Sequence, residues 1–299
     1  MQELDLLRVV IAFSFLIYAS VSDWRTRRVS NIVWIDLGIM ALVLFWMEMF
    51  QAGAPLIAQS ILLPIAFLFA DIFWERKKGL KSLPGVVSAT LYILSFIWIA
   101  YIGYGVQVGA WTWSDVSAPF VAFFLIIIFE VFYMFDVIKG GADAKALICV
   151  AMLFPAYPGL LDAVPMIMPA SDLVLTFFPV ALSALFMGAV VALVVPIYFL
   201  MRNISKGEKI GIRTFLAFTL PIDEVEKHPV WLVERVEEGQ VKFSYRKVRE
   251  SETLEADLAA LREIGVTEAW VTYKIPFIIP LTIGLLEVLV IGNLLFLVY

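Results

Sequence analysis

Long apolar runs separated by short polar breaks dominate the chain. Eight of them read as membrane spans, at about 5–22, 32–50, 55–74, 84–106, 117–138, 143–168, 172–201 and 276–299. The sixth differs from the rest. Its clean helical part runs only from Ala144 to Phe154, and Pro155, Pro158, Pro165 and Pro169 follow. That pattern predicts a half-length or bent helix completed by an outer loop, which lipid must not touch because open backbone needs hydrogen-bond partners. Between Asn203 and Lys274 the pattern changes, and about half of the charged residues are concentrated there. "VWLVERVEEGQVKFSYRKV" alternates around Glu238-Gly239 as a β-hairpin does. "SETLEADLAALREIG" places Leu254, Leu258 and Leu261 on one helical stripe and stops at Gly265. "EAWVTYK" reads as a strand, and "RTFLAFTL" as a candidate for another. The fold class is therefore an all-α polytopic membrane protein of about eight helices. A small α+β domain, 203–274, is inserted before the last helix, 276–299, and the membrane core occupies 1–202.

Composition agrees: 62% of residues are hydrophobic and 16% charged, with a mean hydropathy of +0.92. Soluble domains carry about a quarter charged residues. The net charge of −5 and the lack of a basic patch interleaved with aromatics argue against a nucleic-acid partner. One cysteine, Cys149, excludes a disulfide framework and a thiolate zinc cluster. Glu3 and Asp5 open the chain and no small-residue cleavage site precedes Asp23, so the first apolar run is expected to be retained. With eight spans, every Lys and Arg except Arg8 falls on one side, while the opposite loops carry Asp115, Asp162 and Asp172. The positive-inside rule assigns the basic side to the cytoplasm and the N-terminus to the outside of the cell membrane.

On this topology two aspartates share one address. Asp23 ends the first span and Asp143 opens the sixth, both at the cytoplasmic face. Like carboxylates a few ångströms apart share a proton. The ionised one then activates water while the protonated one polarises a peptide carbonyl. Such aspartic proteolysis needs no metal, thiol, histidine or other cofactor. The single histidine, His228, reads as a surface residue, and Cys149 as a small packing residue in an apolar helix. Each aspartate alone also reads as interfacial, with Asp23 paired to Arg27. Asp36, Asp71, Glu130, Asp136 and Glu287 compete with them, and position alone does not choose. Asp71 reads as a support or as a partner of Arg76 or Lys77; Asp36 and Glu287 read as bonding between helices. Lys145, at i+2 from Asp143, points away from it and reads as a snorkelling cation or a helix–helix partner.

The stretch "GGADAKAL" resembles the GxGD-type motif of prepilin peptidases, the archaeal preflagellin and prepilin peptidases in particular. "DWRTRRVSN" is similar to that family's first-aspartate segment, and "VTYKIPFIIPLTIG" to the lead into its last span. The resemblance implies a membrane aspartic endopeptidase that removes a short basic leader from archaellin or type IV pilin-like precursors, just before their hydrophobic helix. It implies Asp23 and Asp143 as catalytic, with Gly140, Gly141, Ala142 and Lys145 as motif or support positions. Ala142 stands where the motif has glycine. Four spans separate the aspartates where smaller archaeal members have two, so a hairpin within 55–138 looks added. The four-cysteine module of methylating bacterial relatives is absent, and no methyltransferase activity is expected. The competing readings are a carboxylate-dependent ion-coupled transporter, a non-catalytic scaffold, and a presenilin-like intramembrane protease. Asp223, Glu224 and Glu226, with Glu237 and Glu238 at the hairpin tip, are candidates for reading the basic leader, or a solvated acidic surface.

Overall fold

The computed structural model describes residues 2–74, 82–158, 178–237, 239–243 and 251–291. They form two compact units, one of residues 1–189 and 276–299, the other of 190–275. The first is helical: α1 (Gln2–Thr26), α2 (Asn31–Gln51), α3 (Leu56–Gln59), α4 (Leu62–Asp71), α5 (Leu83–Gln107), α6 (Trp113–Met134), α7 (Gly141–Leu153), α8 (Val180–Ala192) and α12 (Ile278–Val290). The second holds α9 (Val194–Ser205), α10 (Ile212–Leu216), α11 (Ser251–Glu263) and five short strands.

Among the described residues five helical stretches are long and apolar enough to cross a membrane: Glu3–Thr26, Asn31–Gln51, Leu83–Gln107, Trp113–Met134 and Val180–Ser205. Three expected spans differ. The third is broken into α3 and α4 at Ser60, whose hydroxyl folds back to the Ile57 carbonyl (2.6 Å). The sixth is the 13-residue α7, which stops before Pro155; its expected continuation over 159–168 lies outside the described residues. The last is described as α12, 13 residues long, and 292–299 lie outside.

Past Lys145 α7 is apolar on all sides, and from Ala146 to Leu153 every residue is buried. A helix of that kind belongs in the middle of a bundle. α7 packs most extensively on α2 and α6, and also touches α1 and α12. Where α8 and α12 cross, a Cβ on Gly188 would meet the Leu281 Cα at 3.0 Å, and one on Gly284 the Ala184 carbonyl oxygen at 2.8 Å. Only glycine lets these backbones approach so closely, as at other small-residue helix crossings in membranes. Arg8 is 3% exposed. Its guanidinium bonds the Glu48 carboxylate (2.7 Å), the Asp5 carboxylate (3.5 Å) and the Leu44 carbonyl (3.4 Å), joining α1 to α2.

In the second unit β1 (Phe218–Pro221), β5 (Glu268–Tyr273) and β2 (Val230–Leu232) form an antiparallel sheet in the order β1-β5-β2. β3 (Glu234–Glu237) and β4 (Gln240–Phe243) form a separate hairpin turning at Gly239, whose φ is +74°. The long alternating strand predicted for this region is therefore split at Val233. There the Val233 N–H donates to the Trp270 carbonyl (3.0 Å), and the Trp270 N–H donates to the Glu234 carboxylate (2.9 Å). A side chain takes over the ladder, which frees β3 to pair elsewhere. "RTFLAFTL" likewise divides into α10 and β1. The α11 stripe is realised: Leu258 and Leu261 are buried against Phe218, Leu232 and Val271, and Gly265 ends the helix at φ +81°.

Candidate active site

Both candidate aspartates sit at helix ends, and the sequence dictates each end. α1 stops because Arg27 takes φ +56°, with its N–H donating to the Asp23 carbonyl at 2.9 Å. This is the single-bond left-handed cap, with Asp23 three residues inside the helix. The Ser22 and Thr26 hydroxyls both donate to the Arg28 carbonyl at 2.9 Å, folding residues 27–30 back onto the helix end. Asp23 is half-buried there.

α6 ends earlier than the glycines. Asp136 adopts φ +57°, its N–H bonds the Tyr133 carbonyl, and the Val137 N–H bonds the Phe132 carbonyl. That is a Schellman cap, and aspartate is among the few non-glycine residues that tolerate the left-handed region. Asp136 is thus a helix stop, four residues before Gly140.

Gly140 is the N-cap of α7, and Asp143 is its third helical residue. The Asp143 carboxylate folds back over Gly140. A Cβ on Gly140 would collide with Oδ2 and stand 2.8 Å from Cγ. Gly140 has an ordinary extended conformation (φ −96°, ψ 124°), so the carboxylate and not the backbone demands glycine. An acid at this position complements the unpaired N–H groups and positive end of a helix. Gly141 faces the Tyr133 hydroxyl, 3.3 Å from where a Cβ would lie. Ala142 lies inside the first turn, partly buried against the core, where helical geometry accepts any non-proline side chain. Its departure from the glycine pattern therefore has no backbone consequence.

Lys145 turns away from Asp143 and acts as a helix–helix partner. Its ammonium donates to Asn31 Oδ1 at 2.7 Å and lies 5.1 Å from the centre of the Phe73 ring. Asn31 is the first residue of α2, whose start is capped by Ser30. The two sequence motifs are thereby tied together: the asparagine closing "DWRTRRVSN" receives the lysine of "GGADAKAL". Four residues on, the buried Cys149 thiol donates to the Trp34 carbonyl (3.4 Å), a packing role on the same α2–α7 contact.

The competing acids have other surroundings. Asp71 is buried and accepts from the Ser88 hydroxyl; Glu130 accepts from the Tyr92 hydroxyl at 3.1 Å. Arg76 and Lys77, the partners expected for Asp71, lie outside the described residues. Asp36 is exposed on α2 and Glu287 half-buried on α12, and neither makes the expected interhelical bond among the described residues. No cluster of metal-ligating side chains occurs among the described residues. His228 is exposed, 4.0 Å from Glu224. Sequence reasoning missed Tyr133 beside Gly141 and the Asn31–Lys145 bond. The asparagine was visible in its motif, but nothing in the sequence paired it across more than a hundred residues.

No curated protein matches the chain. Residues 211–294 match the family model described as Archaeal Peptidase A24 C-terminus Type II, a segment that excludes both aspartates. That match supports a peptidase of the archaeal prepilin and preflagellin peptidase family.

Proposed function

We propose that the protein is a membrane aspartic endopeptidase that cuts the short basic leader from archaellin or type IV pilin-like precursors at the cytoplasmic face, with Asp23 and Asp143 as the catalytic pair. The observation that carries this reading is the Lys145–Asn31 hydrogen bond, which joins the two aspartate-bearing motifs within one helical unit. The packing of α1 against α7 and the family match at 211–294 support it.

The helix ends suggest how the roles divide. Asp143 stands at the N-terminal end of α7, which favours a carboxylate; Asp23 stands at the C-terminal end of α1, which does not. Asp143 is accordingly the ionised partner. It takes a proton from water as the water oxygen bonds to the scissile carbonyl carbon, and Asp23 donates its proton to the carbonyl oxygen. Collapse of the tetrahedral intermediate breaks the C–N bond: the leaving nitrogen takes a proton from Asp143, and one hydroxyl of the intermediate returns its proton to Asp23, which restores the starting pair. The substrate is a single-span precursor whose Lys/Arg leader remains in the cytoplasm while its apolar helix lies in the bilayer.

The test is cleavage of a precursor with a Lys/Arg leader by the purified, lipid-reconstituted protein. Asp23→Asn and Asp143→Asn should each abolish cleavage while the protein stays folded and inserted, with at most about 1 kcal/mol lost at the α7 N-terminus in Asp143→Asn, and Asp36→Asn should be mild. Near-wild-type turnover by either catalytic variant refutes the assignment.

A further inference from the structure

The segment that follows the long Val180–Ser205 helix is built unlike a soluble loop. The chain turns at Gly207 (φ +81°) and the Glu208 N–H bonds back to the Asn203 carbonyl (3.0 Å). The Asn203 side chain, fully buried, donates to the carbonyls of Thr214 (3.0 Å) and Ala217 (2.7 Å). Thr214 in turn closes the first turn of α10 against Gly211, accepting from its N–H at 3.1 Å and donating to its carbonyl at 2.6 Å. The short helix α10 is therefore clamped beside the last turn of α9. It stays beside the C-terminal end of a helical stretch long and apolar enough to cross a membrane.

What this hook displays at that level is apolar. Ile210 is 70% exposed and Ile212 67%, with Phe215 and Leu216 also exposed. Along α9 itself Val194, Ile197, Tyr198, Met201 and Ile204 form an exposed stripe that suits acyl chains, so the apolar surface continues past the end of the helix. Lys209 and Arg213 are interleaved with the hook's apolar residues, and Glu208 is the only acid in the segment. Arg213 rests 5.0 Å from the Phe243 ring, which leaves Lys209 as the outward cation.

Exposed isoleucine and phenylalanine beside lysine, held at the depth of a helix end, match the chemistry of an interfacial anchor. We propose that residues 207–216 bed into the headgroup–acyl boundary of the cytoplasmic leaflet, with a preference for anionic lipid. The hook would hold the α+β domain against the bilayer surface. The inference does not depend on the peptidase reading, because it uses no residue of the aspartate site.

The full chain, reconstituted in phosphatidylcholine vesicles with or without phosphatidylglycerol, tests it. Cys149 is wholly buried, so one introduced cysteine takes an environment-sensitive fluorophore. Labels at Ile212→Cys and Phe215→Cys should be blue-shifted and quenched by lipids spin-labelled near the headgroup. A label at the exposed Glu263→Cys, in the same unit, should not be. With phosphatidylglycerol present, Lys209→Gln should lower the docked-to-undocked ratio about fivefold, the effect of one basic side chain at an anionic surface. Quenching at 212 and 215 no greater than at 263 overturns the proposal. Quenching that rises with protein density instead of lipid composition also overturns it, and points to contact between copies of the chain.

Discussion

Replacing Gly140 by alanine isolates the geometry of one carboxylate. Gly140 already has dihedral angles that alanine adopts freely, so the substitution strains no backbone. The added methyl would stand 2.8 Å from the Asp143 Cγ and closer still to Oδ2. Ordinary carbon–carbon contact begins near 3.5 Å, so Cγ must retreat by about 0.7 Å and the nearer Oδ2 by more, roughly 1 Å. Leaving its rotamer costs about 0.5–1.5 kcal/mol. Its contribution at the helix N-terminus, about 0.3–1 kcal/mol, is weakened as well. The unit should therefore lose no more than about 2.5 kcal/mol and remain folded. A displacement of about 1 Å in a catalytic group costs on the order of a hundredfold in rate, so kcat should fall far more than stability. Gly141→Ala is the control, since its methyl would meet only the movable Tyr133 hydroxyl at 3.3 Å. Precursor cleavage and thermal melting of the two variants, side by side, decide the matter. Equal activities for Gly140→Ala and Gly141→Ala, or a Gly140→Ala enzyme at wild-type rate, would refute the reasoning.

Asn31→Ala or Lys145→Met removes the tie between α2 and α7; a hydrogen bond to a charged group is worth about 1.5–3 kcal/mol, and the partly exposed Lys145 should stand at the low end. The double variant should cost little more than either single one, and additive losses in melting experiments would show that the bond does not couple them. Burial pushes the Glu234 carboxyl above its ordinary value of 4.5, against the opposing Trp270 hydrogen bond and the Arg213 charge. Between that value and the raised one the folded domain binds more protons than the unfolded chain, so its stability falls as pH rises through the window. The protection factors of the β5 amides, relative to the unstructured chain at the same pH, should then rise on acidification from neutral pH, and Glu234→Gln should flatten that rise; an unchanged slope in that variant contradicts it. If the acidic surface reads the leader, neutralising Asp223, Glu224 and Glu226 together raises KM with little change in kcat, and added salt weakens wild-type binding. Asp223 already pairs with Arg262 at 3.0 Å and Glu224 lies near His228, but exposed pairs of this kind are weak enough to exchange for a leader cation. An unchanged KM would leave these residues as solvated surface.

Local pattern was enough for much of this protein. Run length and hydropathy marked five long helices, because a helix that satisfies its own backbone in lipid needs only enough consecutive apolar residues. The stripe of Leu258 and Leu261, the stop at Gly265 and the turn at Gly239 were equally legible, since each depends on neighbours a few residues away. Other features depend on groups distant in sequence. The split of the long strand at Val233 required Trp270 to offer both its N–H and its carbonyl to residues nearly forty positions earlier. Sequence spacing turned Lys145 away from Asp143, but only packing of α7 on α2 supplied Asn31 as its partner. Hydropathy treated Arg8 as a stray charge, whereas Glu48 and Asp5 neutralise it inside the bundle. The need for glycine at 140 rather than 142 came from the direction of one carboxylate, which a motif cannot encode. Periodicity and caps are short-range physics and can be read along the chain; which polar groups meet is decided by close packing, which only the folded structure brings about.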